Sequence, residues 1–149
     1  MLQDTKLGQL ARVSETMTED NVWIHVSNLE EVNYTVVEQQ LNQLKRGERP
    51  DGSNFPDYSE TSVSIFGKED GPIKWKDDGE FYESIRTIPT ADAINFSEAL
   101  TTGDDGTRIN LEAEYNEQIL GLQDESKGMV KEVVQAAYID TIRDALSND

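Results

Sequence analysis

Residues 48–79 hold three of the chain's four prolines, Pro50, Pro56 and Pro72, and Gly52, Gly67, Gly71 and Gly79 punctuate the same stretch. Proline fixes φ and lacks a backbone N–H, and glycine is entropically costly to order. Neither a long helix nor a central strand runs through such a composition. An irregular segment of this length is uncommon inside a compact domain and is usually functional or partner-bound. Phe55, Tyr58, Phe66 and Trp75 recur along it, which a solvated low-complexity tail would not contain. The stretch is expected to be a projecting arm or long loop, with room for one short strand at residues 61–66.

Regular elements must lie on either side of it. Leu7, Leu10, Ala11, Ser14 and Met17 have helical spacing, and residues 1–27 read as an N-terminal helix or arm. Within that region, VWIHV at 22–26 reads as a brief strand or extended linker. Asn28 followed by Glu31 predicts a capping box. Leu29, Val32, Val36, Val37, Leu41 and Leu44 then form the apolar stripe of a helix. That helix should stop near Arg46, where Gly47 suits a left-handed terminal residue and Pro50 blocks continuation.

Beyond the punctuated stretch, Asp78-Gly79 predicts a turn, and Phe81 and Ile85 predict a short helix over 80–87. Residues 88–120 are β-like. TRINL at 107–111 alternates, and Gly103-Asp104-Asp105-Gly106 before it is a hairpin turn signal. Residues 115–122 fit either a strand or a helical turn. Val130, Val133, Val134, Ala137, Ile142, Ala145 and Leu146 mark a closing helix over 124–146, weakened near its start by Gly128. The predicted fold is α+β: one domain over 28–149, with a small antiparallel sheet packed by two main helices.

Composition removes several kinds of chemistry. With 13 Lys+Arg against 30 Asp+Glu the formal charge is −17, which argues against phosphate-neutralising binding to nucleic acid or anionic membrane. No apolar run approaches the roughly 20 residues of a membrane span, and the first 15 residues do not read as a secretory signal. Cysteine is absent, so thiolate ligands and Cys nucleophiles are excluded. His25 is the only histidine and lies far from any nucleophile motif, so it reads as structural. Phosphate loops are absent. Placing Gly106 or Gly79 at the glycine of a calcium loop leaves its early ligand positions largely unfilled, so Asp104–Asp105 and Asp77–Asp78 read as turn residues. No cofactor, metal site or catalytic residue is expected.

One resemblance carries more. The run QLNQLKRGERPDG followed by YSETSVSIFGKEDGPIKWKDDGEFYESI resembles a pattern in tailed-bacteriophage virion morphogenesis proteins. Tyr58-Ser59 and Thr61 match one step of it; Trp75, Asp77, Gly79, Phe81, Tyr82 and Ser84 match a second, with Asp78 where Thr is usual. ILGLQDESKGMVKEVVQAAYIDTIRDAL resembles the closing step and last helix. The resemblance spans about 29–146 and departs in having few Lys and Arg before Trp75. It implies a non-enzymatic subunit of a homo-oligomeric ring: a head–tail connector at the neck, a tail-completion protein or a tail terminator. Its partners would be neighbouring neck, portal or tail proteins, its place the virion. DNA would pass through the ring without being bound. Phe55, Tyr58, Phe66, Trp75, Asp77, Gly79, Phe81 and Tyr82 become the candidate assembly residues, because aromatics anchor interfaces. Two alternatives stay open: an acidic interaction module or DNA mimic, expected as a stable monomer with a rigid 48–79 segment, and a metal-assisted hydrolase, expected to gather carboxylates in a pocket.

Overall fold

The computed structural model describes residues 18–60, 63–64, 67–68, 70–76 and 79–147. The helical spacing expected from Leu7 to Met17 lies outside them, as do Phe66 and Asp77. The fold is α+β, built from helices and two small antiparallel hairpins.

Helix α1 covers Glu19–Ser27, where an extended segment was expected. Thr18 caps it, its hydroxyl accepting from the Asn21 N–H at 3.2 Å. Glu19 and Asp20 sit favourably at the positive end of the helix dipole. Val22 and Val26, one turn apart, are both buried, so helical spacing overrides the β-branched composition. Helix α2 covers Glu30–Lys45. The predicted capping box does not form: Asn28 closes α1, its side-chain amide donating to the Ile24 carbonyl at 2.7 Å, and Leu29 takes the cap position without a side-chain bond. Asn33 ties the junction instead, donating to the carbonyls of Ser27 and Leu29.

The end of α2 follows the sequence closely. Gly47 has φ 71°, its N–H donates to the Leu44 carbonyl at 2.9 Å, and the Glu48 N–H donates to the Gln43 carbonyl at 3.1 Å. This is a Schellman motif. A Cβ at Gly47 would come within 2.5 Å of the Pro72 Cβ, so the glycine also admits the returning loop.

That return bears on the stretch expected to be a projecting arm or long loop. The described part of 48–76 is a long loop laid back on the helix. Glu48 bridges Asn54 and Asp57 bridges Pro72. The N–H groups of Phe55, Ile73 and Tyr58 donate to the carbonyls of Gly47, Pro56 and Gly71 at 2.8, 2.9 and 3.0 Å. The strand expected over 61–66 is also overturned where it is described: Val63 and Ser64 are helical, with the Val63 N–H on the Ser59 carbonyl.

Helix α3 is Glu80–Ser84. Strands β1, Thr87–Pro89, and β2, Ile94–Phe96, form one hairpin. Strands β3, Leu100–Thr102, and β4, Arg108–Asn110, form the other. The single sheet expected is thus two separate ladders. The turn at 103–106 forms as predicted: the Gly103 N–H donates to the Thr107 carbonyl, and the Asp105 carboxylate accepts from the Thr107 N–H at 3.0 Å. Hydrogen bonds from the Thr107 backbone and, next, its side chain hold the Asp105 carboxyl below its ordinary range. Helix α4, Leu111–Tyr115, and helix α5, Asp124–Ser147, complete the chain.

Two apolar clusters hold these parts. Val22, Val26, Val32 and Ala137 join α1, α2 and α5, so the described part of the N-terminal region packs against the closing helix. Leu44, Phe55, Phe81, Ile85, Ala99, Leu111, Ile119 and Leu120 form the larger cluster around the loop.

Candidate assembly surface

Two of the candidate residues, Tyr58 and Tyr82, converge on the backbone of Lys74. The Tyr82 hydroxyl donates to the Lys74 carbonyl at 2.6 Å, and the Lys74 N–H donates to the Tyr58 hydroxyl at 3.4 Å. Two phenols therefore hold both sides of one residue. Burial, and secondarily the neighbouring Tyr58, push the Tyr82 phenol up to about 12. It stays protonated, and a donor, throughout the physiological range.

Trp75 has φ 60°, a left-handed conformation that costs on the order of 1 kcal/mol for a bulky residue. Its ring meets the edge of Phe55 at 5.4 Å and of Tyr115 at 5.1 Å. Its Nε1–H is buried without a hydrogen-bond partner among the described residues. Phe55 and Phe81 are 1% and 3% exposed. Those two rings belong to the chain's own core, so an interface would read them only through the residues they support. Gly79, at φ 86°, begins α3, and its N–H closes a turn onto the Lys76 carbonyl at 2.6 Å.

Tyr58, Trp75, Tyr115, Lys68, Lys76 and the β3–β4 turn border a cleft of about 540 Å³. A second groove, of about 610 Å³, runs between α5 and the β1–β2 hairpin, lined by Trp23, Ile94, Phe96, Leu120, Lys127 and Lys131. The Trp23 indole N–H donates to the Thr90 carbonyl at 2.8 Å, which ties the hairpin to α1.

Several residues that shape this surface were not singled out by sequence. Gln40 and Gln43 are fully buried. The Gly121 N–H donates to the Gln40 side-chain oxygen at 2.7 Å; Gln43 donates to the Gly121 carbonyl and accepts from the Gln123 N–H, both at 2.8 Å. The signal was present: Gln40 continues the i+4 row of Val32 and Val36, where an apolar residue is the ordinary choice. Glu112 accepts from the N–H groups of Ile119 and Leu120 at 2.8 and 3.3 Å. Residues 116–122 are thus held by side chains, and only Tyr115 at their head is helical. A Cβ at Gly121, φ 146°, would lie 3.1 Å from Pro50, so this glycine lets the segment lie against the loop.

His25 is exposed in the last turn of α1. Among the described residues no three His, Asp or Glu side chains are placed to share a metal ion, and no helix is long and apolar enough to cross a membrane. No family model, curated protein or solved structure matches the chain.

Proposed function

We propose that this chain is a structural subunit of a tailed-bacteriophage virion, assembling into a ring at the neck or tail and performing no chemistry of its own. One observation carries the reading. The stretches on which the sequence resemblance rests are separated in the chain but built into one unit. Tyr58 and Tyr82 close on Lys74, and Gly121, in the closing step, is fixed to α2 by Gln40 and Gln43. A pattern spread over about 29–146 is drawn together in one apolar cluster, with Leu44, Phe81 and Leu120 among its members. Exposed large apolar side chains elsewhere, among them Ile24, Tyr34, Ile88 and Tyr115, add surface that assembly would cover.

The packed loop favours a second reading. An acidic module occupying a basic site on another protein would use a rigid, unassembled body, and the described part of 48–76 is laid back on the core. One experiment separates the two. Size-exclusion chromatography with light scattering, followed by micrographs of the eluted species, should yield ring-shaped oligomers. A monomer at every concentration would reject the ring and leave the acidic module.

A further inference from the structure

Helix α5 is 24 residues long, about 36 Å, and one side of it packs on the body. Val133, Val134, Ala137 and Tyr138 meet α1 and Val32. The opposite side carries a different pattern. Gly128, Glu132, Gln135, Ile139, Ile142 and Leu146 recur at alternating spacings of four and three, the period of a two-helix seam, and all six are exposed. Ile139, Ile142 and Leu146 retain 54%, 42% and 40% of their accessible surface. Burying such a row is favourable only if another surface arrives to cover it.

The charges beside the seam select that surface. Glu132 and Arg143 lie on the same flank, and among the described residues neither has an ion-pair partner. Within one helix they are about 16 Å apart, too far to meet. In an antiparallel pair related by a two-fold axis, each flank faces the same flank of the other helix. Glu132 of each chain then meets Arg143 of the other, twice by symmetry. The same register sets Ile139 beside Gln135, Ile142 over the aliphatic stem of Glu132, and Leu146 against Gly128. At Gly128 an added Cβ would meet nothing within 4 Å, so the bare backbone leaves room for the leucine. A parallel pair would leave Arg143 without an acidic neighbour among the described residues.

We propose that the free chain pairs with a second copy of itself through this face of α5, antiparallel, with Ile139, Ile142 and Leu146 of each chain as its apolar contacts. The proposal goes beyond the ring reading. An isologous contact closes at two copies, whereas a cyclic ring needs a different, head-to-tail surface.

Sedimentation equilibrium of the full chain tests it. The wild type should be a dimer and Ile142→Asp a monomer, with the helical circular dichroism of the two unchanged. Glu132→Lys and Arg143→Glu should each weaken pairing roughly tenfold, since each creates two like-charge contacts. The double variant E132K/R143E should restore it, as should an equimolar mixture of the two single variants. A monomeric wild type would overturn the pairing. So would oligomers indifferent to Ile142→Asp and to charge reversal, and that outcome would leave the ring reading in place. Dimers that respond as expected, with no rings in micrographs, would support the pairing and count against the ring.

Discussion

Arg49 and Glu117 meet across the chain in a bidentate pair, Nε to Oε2 at 3.0 Å and Nη2 to Oε1 at 2.9 Å. Arg49 also donates to Ser53 Oγ and to the Asn54 carbonyl, so one guanidinium binds the loop after α2 to the segment after α4. The hydrogen bonds from Arg49 hold the Glu117 carboxyl below its ordinary range, and the same bonds raise the guanidinium. A carboxyl lowered in the folded state stabilises above its unfolded value and loses that contribution as pH falls through its folded value. Glu117→Gln should therefore melt below the wild type at pH 7, and the gap should close as pH falls below about 4. Thermal melts across that range check it.

Phe81→Ala removes a ring from the larger core cluster and should cost about 3–5 kcal/mol. Trp75→Phe should behave very differently. It keeps an aromatic face against Phe55 and Tyr115 while deleting a buried N–H that has no partner among the described residues. The expected change is within about 1 kcal/mol of zero. Urea denaturation of both variants measures the contrast; equal losses would mean that the unpaired donor carries no penalty.

Gly79 has open space around it, so its requirement is conformational. At φ 86° a β-branched residue is strained, and Gly79→Val should cost about 1–2 kcal/mol. Asp70→Ala, at an exposed loop position, should stay within about 0.5 kcal/mol. Paired denaturation curves decide it.

Gln43→Glu keeps the shape of a fully buried side chain but, when ionised, loses the donor that serves the Gly121 carbonyl. Burial raises the folded-state pKa of such a carboxyl. Stability is then retained at pH below the unfolded value and lost as pH rises through the folded one. The variant should be closest to wild type near pH 4 and fall away towards pH 8, a trend melting curves would reveal directly.

Legibility in the sequence followed the range of the interactions involved. The stop at Gly47, the 103–106 hairpin turn and helix α5 depend on neighbours a few residues away, and each was readable. The strand or extended linker expected at 22–26 is a helix because Val22 and Val26 satisfy both periods, and the Thr18 cap with burial against Ala137 decides between them. Asn28 was assigned to the wrong helix because it sits between two, and only geometry says which it closes. Among the candidate residues, Tyr58, Trp75 and Tyr82 do gather in space. That Phe55 and Phe81 face inward depends on the loop returning over Gly47, a contact with Pro72 that no local pattern announces. Arg49–Glu117 and the two glutamines act over roughly seventy to eighty residues and were invisible for the same reason.

The glutamine clamp has a consequence for solvent access in time. Amide protons normally exchange slowly when a helix or ladder holds them and quickly in irregular segments. The amides of Gly121 and Gln123 belong to no helix or strand ladder, yet each donates to the oxygen of a buried side chain on α2. They can exchange only when that helix and the 119–123 segment part company. Their deuterium uptake should lag far behind that of Asp92 and Asp104 in the hairpin turns, and should match the slow amides of α2 itself.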